Sequence, residues 1–228
     1  MPRPQTRRFH PGTDAQSTPH VYVPGHGDGV TLLLLHGTGA DEHDLLDLGA
    51  ALAPGAALLS PRGAVEENGA NRWFRRMGMG RFDVPDVIRR AGDLADFTGL
   101  AAREYGLDPA KIVAVGFSNG ANIAAALLLL RPDLLRGAAL FAPAAPLQGR
   151  EPDRVDLAGA SVFVGAGRAD TITPYDQAAL LSDQLTERGA DVAFHQHPGG
   201  HELPGPVLRA ATAWSAQMRA KLAAETPG

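Results

Sequence analysis

The stretch 112–130, IVAVGFSNGANIAAALLLL, constrains the fold of this chain more than any other. It opens on an apolar run of strand length, 112–115. It closes on an apolar run too long for a strand and rich in Ala and Leu, which favour helix. Between them stands Gly116-Phe117-Ser118-Asn119-Gly120, a G-x-S-x-G sequence. A strand that turns at once into a helix brings its backbone against its neighbours, so a Cβ at 116 or 120 is expected to collide. The turn would present the Ser118 hydroxyl on an exposed apex. The following helix would aim its N-terminal N–H groups and positive dipole end at the same point. The same five residues also fit an ordinary glycine-flanked turn, and only the company they keep decides between the two.

Around this stretch, strand-like and helix-like runs alternate. Residues 1–20 read as a loose, Pro- and Arg-rich lead-in, 21–23 as a short strand, and 24–29 as a turn between two antiparallel edge strands. The run 30–35 reads as a strand buried on both faces. It leads into His36-Gly37-Thr38-Gly39-Ala40-Asp41, with Asp41 as the expected N-cap of a helix reaching about Leu52. Further strands are predicted at 56–59, 137–141, 161–164 and 192–196, and further helices at 86–105, 174–188 and 206–224. Residues 60–85 read as one long loop around Trp73 and Phe74, and loops of that length in compact domains are usually functional. The pattern predicts one α/β domain spanning 1–228. Its sheet would be mostly parallel with helices on both faces, and ligands would bind at the carboxyl ends of the strands.

Bulk properties narrow the function. The 228 residues suffice for one sizeable core, and a net charge of −4 disfavours nucleic acid, which needs a basic footprint. There is no cysteine, hence no disulfide framework, thiolate metal site or cysteine nucleophile. The N-terminus lacks the apolar segment of a secretory signal, and the apolar run 123–130 is too short to span a bilayer. The expectation is a cytoplasmic protein, with a homodimer one possible assembly. Gly37-x-Gly39 and Gly165-x-Gly167 lack the third glycine of a dinucleotide fingerprint, and His195-x-His197 lacks a third ligand for a metal. No cofactor and no metal is expected.

A serine hydroxyl needs a base within hydrogen-bond reach, and histidine titrates near working pH. The histidine needs an acid to set its tautomer. Asp170 follows the 161–164 strand, and His201 follows the 192–196 strand in a glycine-rich loop. The order Ser118, Asp170, His201 is the one α/β-hydrolases use. Asp170 also fits a helix cap near Thr173, and His201 a solvated loop position. His36 precedes the serine and fits the order badly. Two N–H donors for a developing oxyanion are expected at Asn119, the first residue of the helix, and at Thr38. His36-Gly37-Thr38-Gly39 equally fits a plain tight turn. Trp73 and Phe74 either line a substrate pocket or pin the long loop to the core. Arg72, Arg75, Arg76 and Arg81 flank them and either attract an anionic group or form a solvated face.

Five blocks, LLLLHGTGADEHDLL, ENGANRWFRR, GFSNGANIAAALLL, GAGRADTITP and PGGHEL, together resemble the small bacterial carboxylesterases of the phospholipase/carboxylesterase group. They are particularly similar to its dienelactone-hydrolase-like, quinone-stress-associated hydrolases. The resemblance covers roughly residues 20–220. It implies a single α/β-hydrolase domain without a large lid, a Ser118–Asp170–His201 triad, and backbone donors at Thr38 and Asn119. It implies a serine esterase acting on small-molecule esters, the alternatives being a lysophospholipase or acyl thioesterase, or a non-catalytic module on the same fold. Dienelactone hydrolases proper carry a cysteine nucleophile, absent here. The thioesterases and lysophospholipases of the group usually have Gln where this chain has Asn119.

Overall fold

The computed structural model describes residues 5–7, as backbone, and 18–225. Eight strands form one sheet: β1 (Gln5–Arg7), β2 (His20–Val23), β3 (Thr31–Leu35), β4 (Ala57–Pro61), β9 (Ile112–Phe117), β10 (Gly137–Phe141), β11 (Ser161–Gly167) and β12 (Asp191–His197). Their spatial order is β1-β2-β4-β3-β9-β10-β11-β12. From β4 to β12 every neighbouring pair is parallel, while β1 and β2 add antiparallel pairings at one edge. Five helices connect them: α1 (Leu46–Leu52), α2 (Val84–Tyr105), α3 (Asn119–Leu130), α4 (Tyr175–Glu187) and α5 (Gly205–Ala224).

The leucine run of β3 shows why the sheet is buried twice over. Leu33 and Leu35 belong to the core that also takes in side chains of α2, α3 and α4, and Leu32 and Leu34 to the core on the opposite face with side chains of α1 and α5. All four are 0–1% exposed. In β9, Ile112 and Ala114 join the first core and Val113 and Val115 the second. The period of two sends successive side chains to opposite faces, so a continuous apolar run is what a doubly covered strand requires. Each fully buried leucine stabilises the fold by roughly 2 kcal/mol. No helix among the described residues is long and apolar enough to cross a membrane.

From β3 the chain moves through α1 to β4 on one side, whereas β9 leads through α3 to β10 on the other. The crevice at the carboxyl ends of β3 and β9 is therefore the topological switch point. Here the turn from β9 into α3 meets the end of β3. A Cβ on Gly120 would lie 1.8 Å from the Leu35 carbonyl oxygen, and one on Gly116 would lie 2.5 Å from that of Gly120. Glycine is the only residue that permits this approach.

Several expectations change. The turn at 24–29 does not join neighbours, because β4 lies between β2 and β3 and pairs with both. Asp41 does not cap α1. Its Oδ1 accepts from the His43 N–H in a local turn, and the helix begins at Leu46. The 60–85 loop contains two small hairpins, β5 (Val65–Glu67) with β6 (Ala70–Arg72) and β7 (Arg76–Gly78) with β8 (Arg81–Phe82). Within the 1–20 lead-in, residues 5–7 pair with β2, and most of the remainder lies outside the described residues.

Two glycine substitutions separate these constraints. Gly120→Ala should unfold the chain or lower its stability by more than about 3 kcal/mol, because rigid backbone must shift. Gly92→Ala, inside α2 with nothing within 4 Å of the added methyl, should stabilise by about 0.5–1 kcal/mol. Thermal or urea unfolding of the two variants against the parent measures both.

Candidate active site

Ser118 sits between β9 and α3 with φ 54° and ψ −116°, a left-handed conformation that side-chain-bearing residues rarely adopt. Such strain costs on the order of 1–3 kcal/mol and persists only when surrounding contacts over-determine it. Here the Ser118 N–H donates to the Phe141 carbonyl at 2.8 Å, and its own carbonyl accepts from Asn122 at 3.0 Å. The side chain is lifted to the sheet's carboxyl edge.

His201, in the loop after β12, places Nε2 2.9 Å from Ser118 Oγ and Nδ1 2.7 Å from Asp170 Oδ2. Asp170 follows β11, and its side chain is 1% exposed, that of His201 16%. Burial raises the Asp170 pKa. Hydrogen bonds from the Thr173 N–H, the His201 ring, the Thr173 hydroxyl and the Ile172 N–H lower it, and the lowering prevails. An ionised carboxylate only accepts, so the proton lies on His201 Nδ1 and leaves Nε2 as acceptor for the serine hydroxyl. Asp170 also turns out to be the local cap that Thr173 suggested, since Oδ1 accepts from Ile172 at 2.8 Å and Thr173 at 2.9 Å. One carboxylate thus makes the cap through Oδ1 and the contact with His201 through Oδ2. The Phe117 ring packs 5.0 Å from the imidazole and limits its tilt.

Asn119 opens α3, and Thr38 follows His36 and Gly37 at the end of β3. Neither backbone N–H has a protein acceptor among the described residues. Both residues line, with Ser118 and His201, a cleft of about 470 Å³. The cleft rim is partly apolar, with Phe82, Phe117, Met79 and Ile172 on it.

Trp73 and Phe74 do not line the cleft, which corrects their assignment to a substrate pocket. They are 5% and 0% exposed and belong to the core. The indole N–H of Trp73 donates to the His36 carbonyl at 2.9 Å, and its backbone N–H to Asn119 Oδ1 at 2.8 Å. They pin the 60–85 segment rather than line the cleft. His36 is buried too: Nδ1 donates to the Gly37 carbonyl and Nε2 accepts from Gly63 N–H, at 2.7 and 2.9 Å. Burial pushes its pKa down and keeps the ring neutral. Sequence reasoning missed Thr173, whose hydroxyl donates to Asp170 Oδ2 at 2.8 Å. Its position three residues after the acid was the available signal.

A mostly parallel sheet of this order, with a strained serine at the switch point and its acid and histidine after later strands, defines an α/β-hydrolase. The chain belongs to the phospholipase/carboxylesterase family, whose profile matches residues 17–216. It is 43% identical over 195 residues to the Bacillus subtilis (strain 168) protein named "Putative hydrolase MhqD", covering 86% of this chain and 96% of that one. It is similar to the crystal structure of a Bacillus cereus carboxylesterase, with TM-score 0.85, 41% identity, and 88% and 94% of the two chains covered. It is also similar to a Mesorhizobium loti carboxylesterase, with TM-score 0.83, 31% identity and coverage of 93% and 98%.

The depressed Asp170 pKa contributes stability that is present above the unfolded carboxyl value near 4 and lost as pH falls through the lower folded value. Thr173→Val removes one of the lowering hydrogen bonds. It should cost about 1–2 kcal/mol at neutral pH, and the deficit should shrink as pH drops below about 4. Urea unfolding of both proteins across pH 3–7 reads the difference.

Proposed function

We propose that this hydrolase is a serine carboxylesterase that cleaves small alkyl or aryl esters through an acyl-enzyme. The reading rests chiefly on one observation, the single imidazole of His201 within hydrogen-bond distance of both Ser118 Oγ and Asp170 Oδ2. In the first half-reaction His201 Nε2 takes the serine proton as Oγ attacks the ester carbonyl. The Thr38 and Asn119 N–H groups hold the oxygen that becomes negative, aided by the N-terminal end of the α3 dipole. Asp170 stabilises the imidazolium without taking its proton. The tetrahedral species collapses, His201 protonates the departing alcohol, and an acyl-serine remains. Water then enters, His201 removes its proton, and a second collapse releases the acid and restores the serine.

Support for short substrates comes from the segment around Trp73. A lysophospholipase or long-chain thioesterase would use an apolar groove near Trp73, but Trp73 is buried and its indole N–H is committed to His36. A non-catalytic module would have no need to hold Ser118 in a strained backbone conformation within hydrogen-bond distance of a histidine.

A fluorophosphonate should add its mass at Ser118, and the folded enzyme should hydrolyse p-nitrophenyl acetate. A folded protein that is neither labelled nor active on that ester would contradict the proposal. Asp170→Asn should lower kcat by about 10⁴-fold, because the imidazole then presents the wrong tautomer to the serine. A loss below tenfold would remove Asp170 from the mechanism.

A further inference from the structure

Arg72 and Arg76 both line the cleft that holds Ser118, Arg76 with its side chain about half exposed. The Arg72 side chain is only 6% exposed. Its Nη1 donates to Thr38 Oγ1 at 3.0 Å and its Nε to the Phe74 carbonyl at 3.3 Å. Glu67 Oε2 lies 3.3 Å from the same Nε. The Arg72 Nη2 makes no hydrogen bond to protein among the described residues. Arg76 sits at the start of the β7–β8 hairpin, with Nε 3.7 Å from that same Glu67 oxygen. Its backbone N–H donates to Glu67 Oε1 at 3.2 Å.

One carboxylate thus serves two guanidiniums. Asp44, a carboxylate that lines the cleft itself, is exposed and forms no ion pair with either arginine. Burial works against the charged form of Arg72, Glu67 supports it, and Arg76 opposes it, so the two cations stand close enough to repel. A buried guanidinium keeps its charge and its planar set of donors. Arg72 is buried and Arg76 half-exposed, and together they place two positive charges at the substrate cleft around the one carboxylate of Glu67, leaving a site that an incoming anion completes. Arg72 is one hydrogen bond from Thr38, whose N–H is assigned above to the oxyanion. An anion bound to the guanidinium pair would share one cleft with the ester carbonyl at Ser118.

We infer that the physiological substrate is an ester carrying a second, free carboxylate on a short chain, held by Arg72 and Arg76 while Ser118 attacks. This rests on the esterase reading and specifies its substrate class. A forked guanidinium pairs with a carboxylate through two parallel hydrogen bonds, which fixes orientation as well as charge.

The test compares kcat/KM for anionic esters and matched neutral ones. Mono-p-nitrophenyl glutarate against p-nitrophenyl 5-methylhexanoate probes the acyl side. 4-Acetoxybenzoate against its methyl ester probes the alcohol side. At least one pair should favour the anion by about tenfold, the size of a charge-assisted hydrogen bond, and the preference should shrink in high salt. In Arg72→Gln and Arg76→Gln that ratio should fall by about tenfold. Arg72 is buried, so if its variant does not fold, Arg76→Gln on the exposed hairpin decides alone. A ratio at or below one for both pairs overturns the inference, as does a ratio unchanged in every folded variant. Labelling at Ser118 with turnover of neutral esters but no preference for the anion removes only the substrate class. Absence of labelling and of any turnover removes the esterase reading and this inference with it.

Discussion

Everything at the site depends on how closely the start of α3 approaches the ends of β3 and β9. With glycine at 116 and 120, the helix backbone rests on the carbonyl of Leu35 where any side chain would block it. That approach forces the left-handed turn at Ser118 and brings the free N–H of Asn119 beside the loop that carries Thr38. The strain is held in place by strands whose apolar side chains are buried on both faces. A sheet with only one buried face would give the turn less to lean on.

The 60–85 segment supplies the second level of organisation. It is stitched to the loop after β3 by hydrogen bonds that skip long stretches of sequence. Gly39 N–H donates to the Asn71 carbonyl at 2.9 Å, and Asn71 Nδ2 to the Ala40 carbonyl at 2.9 Å. Arg72 reaches Thr38, and Trp73 reaches both His36 and Asn119. The two residues assigned as oxyanion donors are thus braced by one short stretch, 71–73. The same stretch carries the cleft's buried cation. Position and electrostatics at the site are coupled through it.

Much of this was legible in the chain itself. The alternation of strand and helix runs, the glycines of the turn, and the order of Ser118, Asp170 and His201 each follow from local chemistry that a sequence displays. What stayed hidden depends on contacts between distant residues. The insertion of β4 between β2 and β3 is a pairing choice that no local pattern encodes. The hairpins at 65–72 and 76–82 are two or three residues per strand, too short for periodicity to register. Asp41 carries the chemistry of a helix cap, but it closes a turn five residues before the helix starts. Trp73 and Phe74 show the limit most clearly. An aromatic pair looks the same in sequence whether it faces a ligand or the core, and here the indole N–H found its acceptor inside.

The central claim is that one imidazole joins Asp170 to Ser118 with its proton on Nδ1, and proton NMR of the resting enzyme tests it directly. A strongly downfield Nδ1 proton, labelled through His201, should be present at neutral pH and disappear in Asp170→Asn while remaining in His36→Gln. A spectrum without that resonance, or one that keeps it unchanged in Asp170→Asn, would contradict the account.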